Sequence, residues 1–376
     1  MRKRSKTESQ SFREEKHISS LVDDMRLKKL LRGFEREEFD AYLVYGSANI
    51  YYLTSSTGGG LLLIDSGEPT LYTPRLNYLM AKEQVEVCEV VLYKKEEELF
   101  KAISERLKEA KIIGYNTLPL TLFNRLREKL GEAKLREAPE LVWKMRRIKD
   151  EKELKLIRRA GELTDLGMEA AKEALRPGVR EHEVAAEIAY AMMREGAEGL
   201  AFQPIVASGY RSAYPHAGVT EKRIKQGELV VVDVGAIYKE YRFDITRTFI
   251  VEEASEQQER LYDVVLEAHL QAMKALKPGV EAKEIDGIAR SIISDADLGQ
   301  YFIHSLGHGV GLEVHEPPTL GMDSKDILEA GNVVTDEPGV YIPKFGGVRI
   351  EDTLLITSSG AERLTTFEKE LDAMVV

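Results

Sequence analysis

Gln226-Gly227-Glu228-Leu229-Val230-Val231-Val232-Asp233-Val234-Gly235 and Ala330-Gly331-Asn332-Val333-Val334-Thr335-Asp336-Glu337-Pro338-Gly339 are two versions of one segment. Each sets a glycine before an apolar run and plants a carboxylate near the end of that run. The likeness extends upstream, where Ala174-Leu175-Arg176-Pro177-Gly178-Val179 is echoed by Ala275-Leu276-Lys277-Pro278-Gly279-Val280. Each of these copies follows one amphipathic helical pattern and precedes another, over 183–195 and 283–295. Helix, Pro-Gly turn, helix and strands therefore occur in that order twice, too few times for a solenoid. The pattern predicts one α+β domain built from two related halves about a pseudo-two-fold axis.

Upstream of the repeat the pattern changes. Strands are expected over 39–45, 60–65, 69–73, 87–93 and 111–115, with Ser66-Gly67 as a hairpin turn. Helical spacing covers 97–110 and 120–130. This is an α/β domain without a catalytic cluster, and Gly58-Gly59-Gly60 reads as a loop. Glu137-Ala138-Pro139-Glu140 marks the boundary, giving a small domain over 1–140 and a larger one over 141–376. The larger domain opens on a helix with Leu154, Ile157, Ala160, Thr164, Met168 and Ala171 on one face, and the charged stretch 144–155 reads as its solvated start.

The 376 residues are 43% hydrophobic and 31% charged, a globular profile with room for two domains. No apolar run is long enough to span a bilayer, and no hydrophobic segment follows the basic start, so neither a membrane span nor a secretory signal is expected. With Cys88 as the single cysteine there is no internal disulfide, and the cytoplasm is the default compartment. A net charge of −11 argues against a nucleic-acid partner.

A carboxylate inside an apolar strand is costly unless it is protonated or meets a cation. Strand alternation makes Glu337, not Asp336, the equivalent of Asp233. The next strands repeat the device. Phe243-Asp244-Ile245-Thr246-Arg247-Thr248 aligns with Ile350-Glu351-Asp352-Thr353-Leu354-Leu355, so Asp244 matches Glu351. The pseudo-axis would bring four acids together, and two metal ions sharing carboxylates would neutralise them. Four of seven histidines stand in contexts of a different kind, His216 in Tyr214-Pro215-His216 and His304, His308 and His315 in a glycine-flanked stretch, and His216 and His315 fall at nearly matching points of the two repeats. His308 has no repeat partner and so distinguishes the two metal positions. His17, His182 and His269 read as surface residues.

Beyond residue 140 the chain resembles the pita-bread metallopeptidases, namely Xaa-Pro dipeptidases (prolidases), aminopeptidase P and methionine aminopeptidase. The matching stretches are Ile205-Val206-Ala207-Ser208-Gly209 with Pro215-His216, Asp233-Val234-Gly235-Ala236, Asp244-Ile245-Thr246-Arg247-Thr248, Gly307-His308-Gly309-Val310-Gly311-Leu312-Glu313-Val314-His315-Glu316, Glu337-Pro338-Gly339 and Gly347-Val348-Arg349-Ile350-Glu351-Asp352. The α/β domain in front of them is similar to that of the proline-specific members and argues against methionine aminopeptidase.

The resemblance implies Asp233, Asp244, His308, Glu337 and Glu351 as ligands of two divalent ions, with Asp244 and Glu351 bridging. It implies His216 and His315 as catalytic histidines facing the substrate, and Glu337 as acceptor of the water proton. Arg349 shares a face with Glu351 and would support the site. The expected reaction is hydrolysis of Xaa-Pro dipeptides by a hydroxide bridging two metals, in a homodimer. Oxygen-rich ligands with one imidazole favour Mn or Co, with Fe and Zn as further options. Asp336 and Phe243 depart from the usual family residues, and both are expected to point away from the metals.

The alternatives are an aminopeptidase P acting on longer peptides, a non-catalytic pita-bread binding module, and metal-free creatinase-like chemistry. The filled ligand positions disfavour the last two. Gly-x-Ser-x-Gly, His-Glu-x-x-His and P-loop signatures are absent.

Overall fold

The computed structural model describes residues 24–131 and 133–376, and the chain divides into two units after Arg146. The expectation for the basic start, His17 included, lies outside the described residues.

The first unit runs α1 (Asp24–Arg36), β1 (Ala41–Tyr45), α2 (Ser47–Thr54), β2 (Leu61–Ile64), β3 (Thr70–Pro74), α3 (Tyr78–Gln84), β4 (Glu89–Tyr93), α4 (Glu96–Arg106), β5 (Ile112–Tyr115), α5 (Leu120–Leu130), β6 (Lys134–Glu137) and α6 (Glu140–Arg146). Its six strands form one sheet in the order β4-β3-β2-β1-β5-β6. β1, β2 and β3 are antiparallel neighbours, while β3–β4, β1–β5 and β5–β6 are parallel. The central strand β2 is Leu61-Leu62-Leu63-Ile64 and is buried throughout, as a strand covered on both faces requires.

In the second unit, α7 (Glu151–Ala174), α8 (Glu181–Arg194), β7 (Gly199–Leu200), β8 (Ile205–Ser208), β9 (Leu229–Val234), β10 (Ala236–Tyr238), β11 (Tyr241–Arg242) and β12 (Ile245–Ile250) make the first half. The second half holds α9 (Glu256–Ala275), α10 (Ala282–Asp295), β13 (Gly307–Gly309), β14 (Glu316–Leu320), β15 (Val333–Asp336), β16 (Gly339–Ile342), β17 (Gly346–Arg349), β18 (Asp352–Thr357), β19 (Gly360–Arg363) and α11 (Leu371–Met374).

The repeat is visible down to single hydrogen bonds. Both leading helices start with a capping box, Asp150 with Glu153 and Ser255 with Gln258. Both Pro-Gly turns hold glycine at positive φ, +91° at Gly178 and +85° at Gly279, a conformation that glycine adopts without strain. Each of these N–H groups donates over 2.8 Å to an equivalent carbonyl, Ile224 or Leu328. The antiparallel set β8-β9-β12 corresponds to β13-β15-β18. The halves share one apolar core, to which Val230, Val232, Phe249, Val334 and Leu354 contribute. They also join where Thr246 pairs with Glu351.

Two expectations change. Asp244 and Glu351 sit just outside β12 and β18, at the strand ends and not within them. The stretch 144–155 is not wholly solvated, because Lys149 and Glu153 are buried where the chain enters the core. Lys149 pairs with Glu316 at 2.8 Å, and Glu153 accepts from the Tyr241 hydroxyl at 2.9 Å. Among the described residues, no helix is long and apolar enough to cross a membrane.

Candidate metal centre

Five strand ends and loops converge on a cavity of about 660 Å³. Asp233 comes from β9, Asp244 from the step into β12, His308 from the middle of β13, Glu337 from the step after β15 and Glu351 from the step into β18. All five line this cavity, together with His216, His304, His315 and Arg349. The glycines around His308 have a steric reason. A Cβ on Gly307 would lie 2.1 Å from the Thr335 carbonyl, and one on Gly309 would lie 2.5 Å from the Glu316 and Pro317 carbonyls. Only a bare backbone lets β13 approach its neighbours closely enough to deliver the imidazole.

Ligand-type atoms of Asp244, His308 and Glu351 lie within 4.8 Å of one another. His308 Nε2 is 3.3 Å from Glu337 Oε1 and 3.8 Å from Asp244 Oδ2. Its Nδ1 is 3.1 Å from the Gly309 carbonyl. A carbonyl can only accept, so Nδ1 carries a proton, and Nε2 faces the acids: it donates to Glu337 when the ring is charged and offers a lone pair to a cation when the ring is neutral.

Arg349 organises the opposite side. Its Nη2 donates to Asp233 Oδ2 at 2.5 Å and its Nε to the Thr246 hydroxyl at 3.0 Å. That hydroxyl in turn donates to Glu351 Oε2 at 2.7 Å. Arg349 Nη1 also donates to the Tyr341 hydroxyl at 2.8 Å, and Tyr341 contacts His304 Nε2 at 2.9 Å. Tyr341 is a site residue with no signal in the sequence, since Gly339-Val340-Tyr341-Ile342 reads as an ordinary strand.

The electrostatics are those of crowded acids. Burial, and then the charges of the neighbouring acids, push Asp244 and Glu351 well above the usual carboxylate range. Burial raises Asp233 as well, against the pull of Arg349. Glu337 goes the other way: burial opposes its ionisation, but the hydrogen bond and charge of His308 hold it down at about 2. Burial and the nearby His308 lower His315, whose ring meets that of His308 edge-on at 4.2 Å. His216 is exposed on the cavity wall.

These residues fit a divalent metal. Asp233 Oδ1, Asp244 Oδ1 and Glu351 Oε1 are buried without a hydrogen-bond partner. Such oxygens are costly to bury, and four carboxylates with one imidazole form a donor set for a hard to borderline cation.

Elsewhere, His182 is exposed as expected. His269 is not a surface residue: it has no exposed surface and lies between Asp336 and Asp352, because α9 turns it into the core. Asp336 and Phe243 are buried and do not line the cavity.

The family described as Creatinase/Prolidase N-terminal domain matches residues 26–148. An Xaa-Pro dipeptidase of Pyrococcus furiosus is 45% identical over 349 residues, covering 92% of this chain and 99% of that protein. The crystal structure of a prolidase from Pyrococcus horikoshii superposes with a TM-score of 0.89 at 45% identity, over 92% of this chain and 99% of that one. An X-Pro aminopeptidase from Thermotoga maritima gives a TM-score of 0.86 at 34% identity, over 93% and 99% of the two chains. Residues 155–358, which contain every acid and histidine of the cavity, match Metallopeptidase family M24, and the chain belongs to that family.

Proposed function

We propose that the chain hydrolyses the peptide bond preceding proline in Xaa-Pro dipeptides, with two divalent ions held by Asp233, Asp244, His308, Glu337 and Glu351. The observation that carries this reading is the convergence of these side chains with three unpartnered, buried carboxylate oxygens. Asp244 and Glu351 would bridge both ions, Asp233 would complete one, and His308 with Glu337 the other. When bound, the ions supply Lewis acidity and a water acidic enough to give a nucleophile near neutral pH. The metal would be Mn or Co, given the oxygen-rich donors.

The chain's own groups supply the rest. Glu337 is ionised and accepts the water proton. His216 and His315, on the cavity wall, donate hydrogen bonds to the carbonyl oxygen as negative charge develops there. Arg349 holds Asp233 in place. The leaving nitrogen of an Xaa-Pro bond is tertiary, and the proton that Glu337 accepted passes to it as the C–N bond breaks. The reading includes a catalytic domain over 141–376, a homodimer and a cytoplasmic location.

Likeness to an X-Pro aminopeptidase at 34% identity favours a second reading, removal of the N-terminal residue from longer peptides. Leu-Pro and Leu-Pro-Gly, offered to the Mn- or Co-reconstituted chain, separate the two. Proline released from the dipeptide alone supports the dipeptidase. Leucine released from the tripeptide supports the aminopeptidase. Turnover of neither, with metal bound, would overturn both in favour of a binding module.

A further inference from the structure

Behind the cavity, β15 and β18 set Asp336 directly opposite Asp352. Each is the chain neighbour of a glutamate in the cavity, Glu337 or Glu351. Strand alternation turns both aspartates to the far face, where they have no exposed surface. Like charges at directly opposed positions of an antiparallel pair repel, and away from water nothing screens them. Unrelieved, that repulsion would splay the two strands whose ends carry Glu337 and Glu351.

His269, on α9, stands between the two acids. Its Nε2 is hydrogen-bonded to Asp352 Oδ2 at 3.1 Å, and its Nδ1 lies at ion-pair distance, 3.2 Å, from Asp336 Oδ2 without hydrogen-bond geometry. The other cations of the cluster serve Asp352. Arg247 Nη2 lies 2.7 Å from Oδ1, Lys369 Nζ lies 2.5 Å from Oδ2, and Arg363 is 3.8 Å away. Lys369 Nζ also contacts His269 Nε2 at 2.9 Å. Among the described residues, the ion-pair partner of Asp336 is His269 alone. Among the described residues, one imidazole therefore lies within ion-pair distance of both acids.

We propose that His269 is a positioning residue for the metal centre, fixing the spacing of Glu337 and Glu351 through Asp336 and Asp352. It touches neither metal nor substrate. The proposal rests on the reading of those two glutamates as metal ligands, and the first control tests that reading by itself.

The test is calorimetric titration of the full-length, chelator-stripped chain with Mn(II), alongside its melting temperature in chelator. Wild type, His269→Gln, Asp336→Val and the double variant are compared. Wild-type chain that binds no Mn(II) ends the metal reading itself, and this proposal with it. With wild type binding, His269→Gln is expected to weaken Mn(II) about 10- to 100-fold, the usual effect of losing a partner that orients a ligand. Asp336→Val removes the opposed charge, so in the double variant it restores affinity to within about threefold of wild type, a coupling that independent sites lack. A lower melting temperature with unchanged Mn(II) affinity in His269→Gln would overturn the proposal, because a packing role alone gives that result. Should His269→Gln not fold, the double variant decides: folded and binding supports the proposal, unfolded or non-binding overturns it.

Discussion

Glu337 and Glu351 are buried glutamates facing one cavity, yet their surroundings push them in opposite directions. The hydrogen bond and charge of His308 hold Glu337 down at about 2, whereas burial and surrounding negative charge push Glu351 well above the usual carboxylate range. Replacing Glu351 or Asp244 with Ala should therefore remove bound metal and activity together. The expected loss is about 10³-fold or more in turnover, since several kcal/mol of charge stabilisation goes with the metal. Metal content by mass spectrometry, measured beside peptide hydrolysis, checks this, and an active, metal-free variant would refute it. Asp233, Asp244 and Glu351 could be grouped from sequence because the repeat marks them twice over. His269 was legible as a core residue from its place on the apolar stripe of α9 with Tyr262, Val265, Ala268 and Ala272, but its partners were not, because Asp352 and Lys369 come from strands and loops 83 and 100 residues downstream.

Among the elements, the hairpin of β2 and β3 depends on a charge latch. Arg106, at the end of α4, donates to both oxygens of Asp65 at 2.7 and 2.6 Å, and also to the Thr70 hydroxyl. Burial would raise the Asp65 carboxyl, but Arg106 and the Gly67 N–H hold it below its ordinary value of 3.8. A depressed folded pKa stabilises above the unfolded value, and that stabilisation is lost as pH falls through the folded one. Acid unfolding of the first unit, followed by circular dichroism, should therefore begin as pH drops below about 4. In Asp65→Asn that limb should flatten, at the expense of lower stability at pH 7. Strongly periodic elements such as α7 and α5 were readable from spacing. α2, α3 and β6 were not. α2 is buried nearly all round and so lacks a polar face, α3 has 7 residues, and β6 is a charged edge strand, Lys134-Leu135-Arg136-Glu137.

For the whole molecule, the second unit is a pair of halves held together by a shared apolar core and facing one another across a shared set of acids. In the metal-free chain those acids repel, so metal should stabilise by mass action. At a free concentration 100 times the dissociation constant the gain is about 2.7 kcal/mol. For a domain of this size that shift is roughly 5–10 °C in melting temperature. Scanning calorimetry with Mn(II) and with chelator measures it, and superimposable traces would contradict a shared metal site. The division of the acids between two halves also bears on biosynthesis. A ribosome delivers Asp233 and Asp244 while β13, β15 and β18 are still untranslated. The nascent first half carries two carboxylates without their imidazole and glutamate counterparts, so it offers no selective trap for a scarce transition metal. On the reading of these acids as metal ligands, the site is complete only once Glu351 has emerged, so its ions would be acquired after both halves have been made.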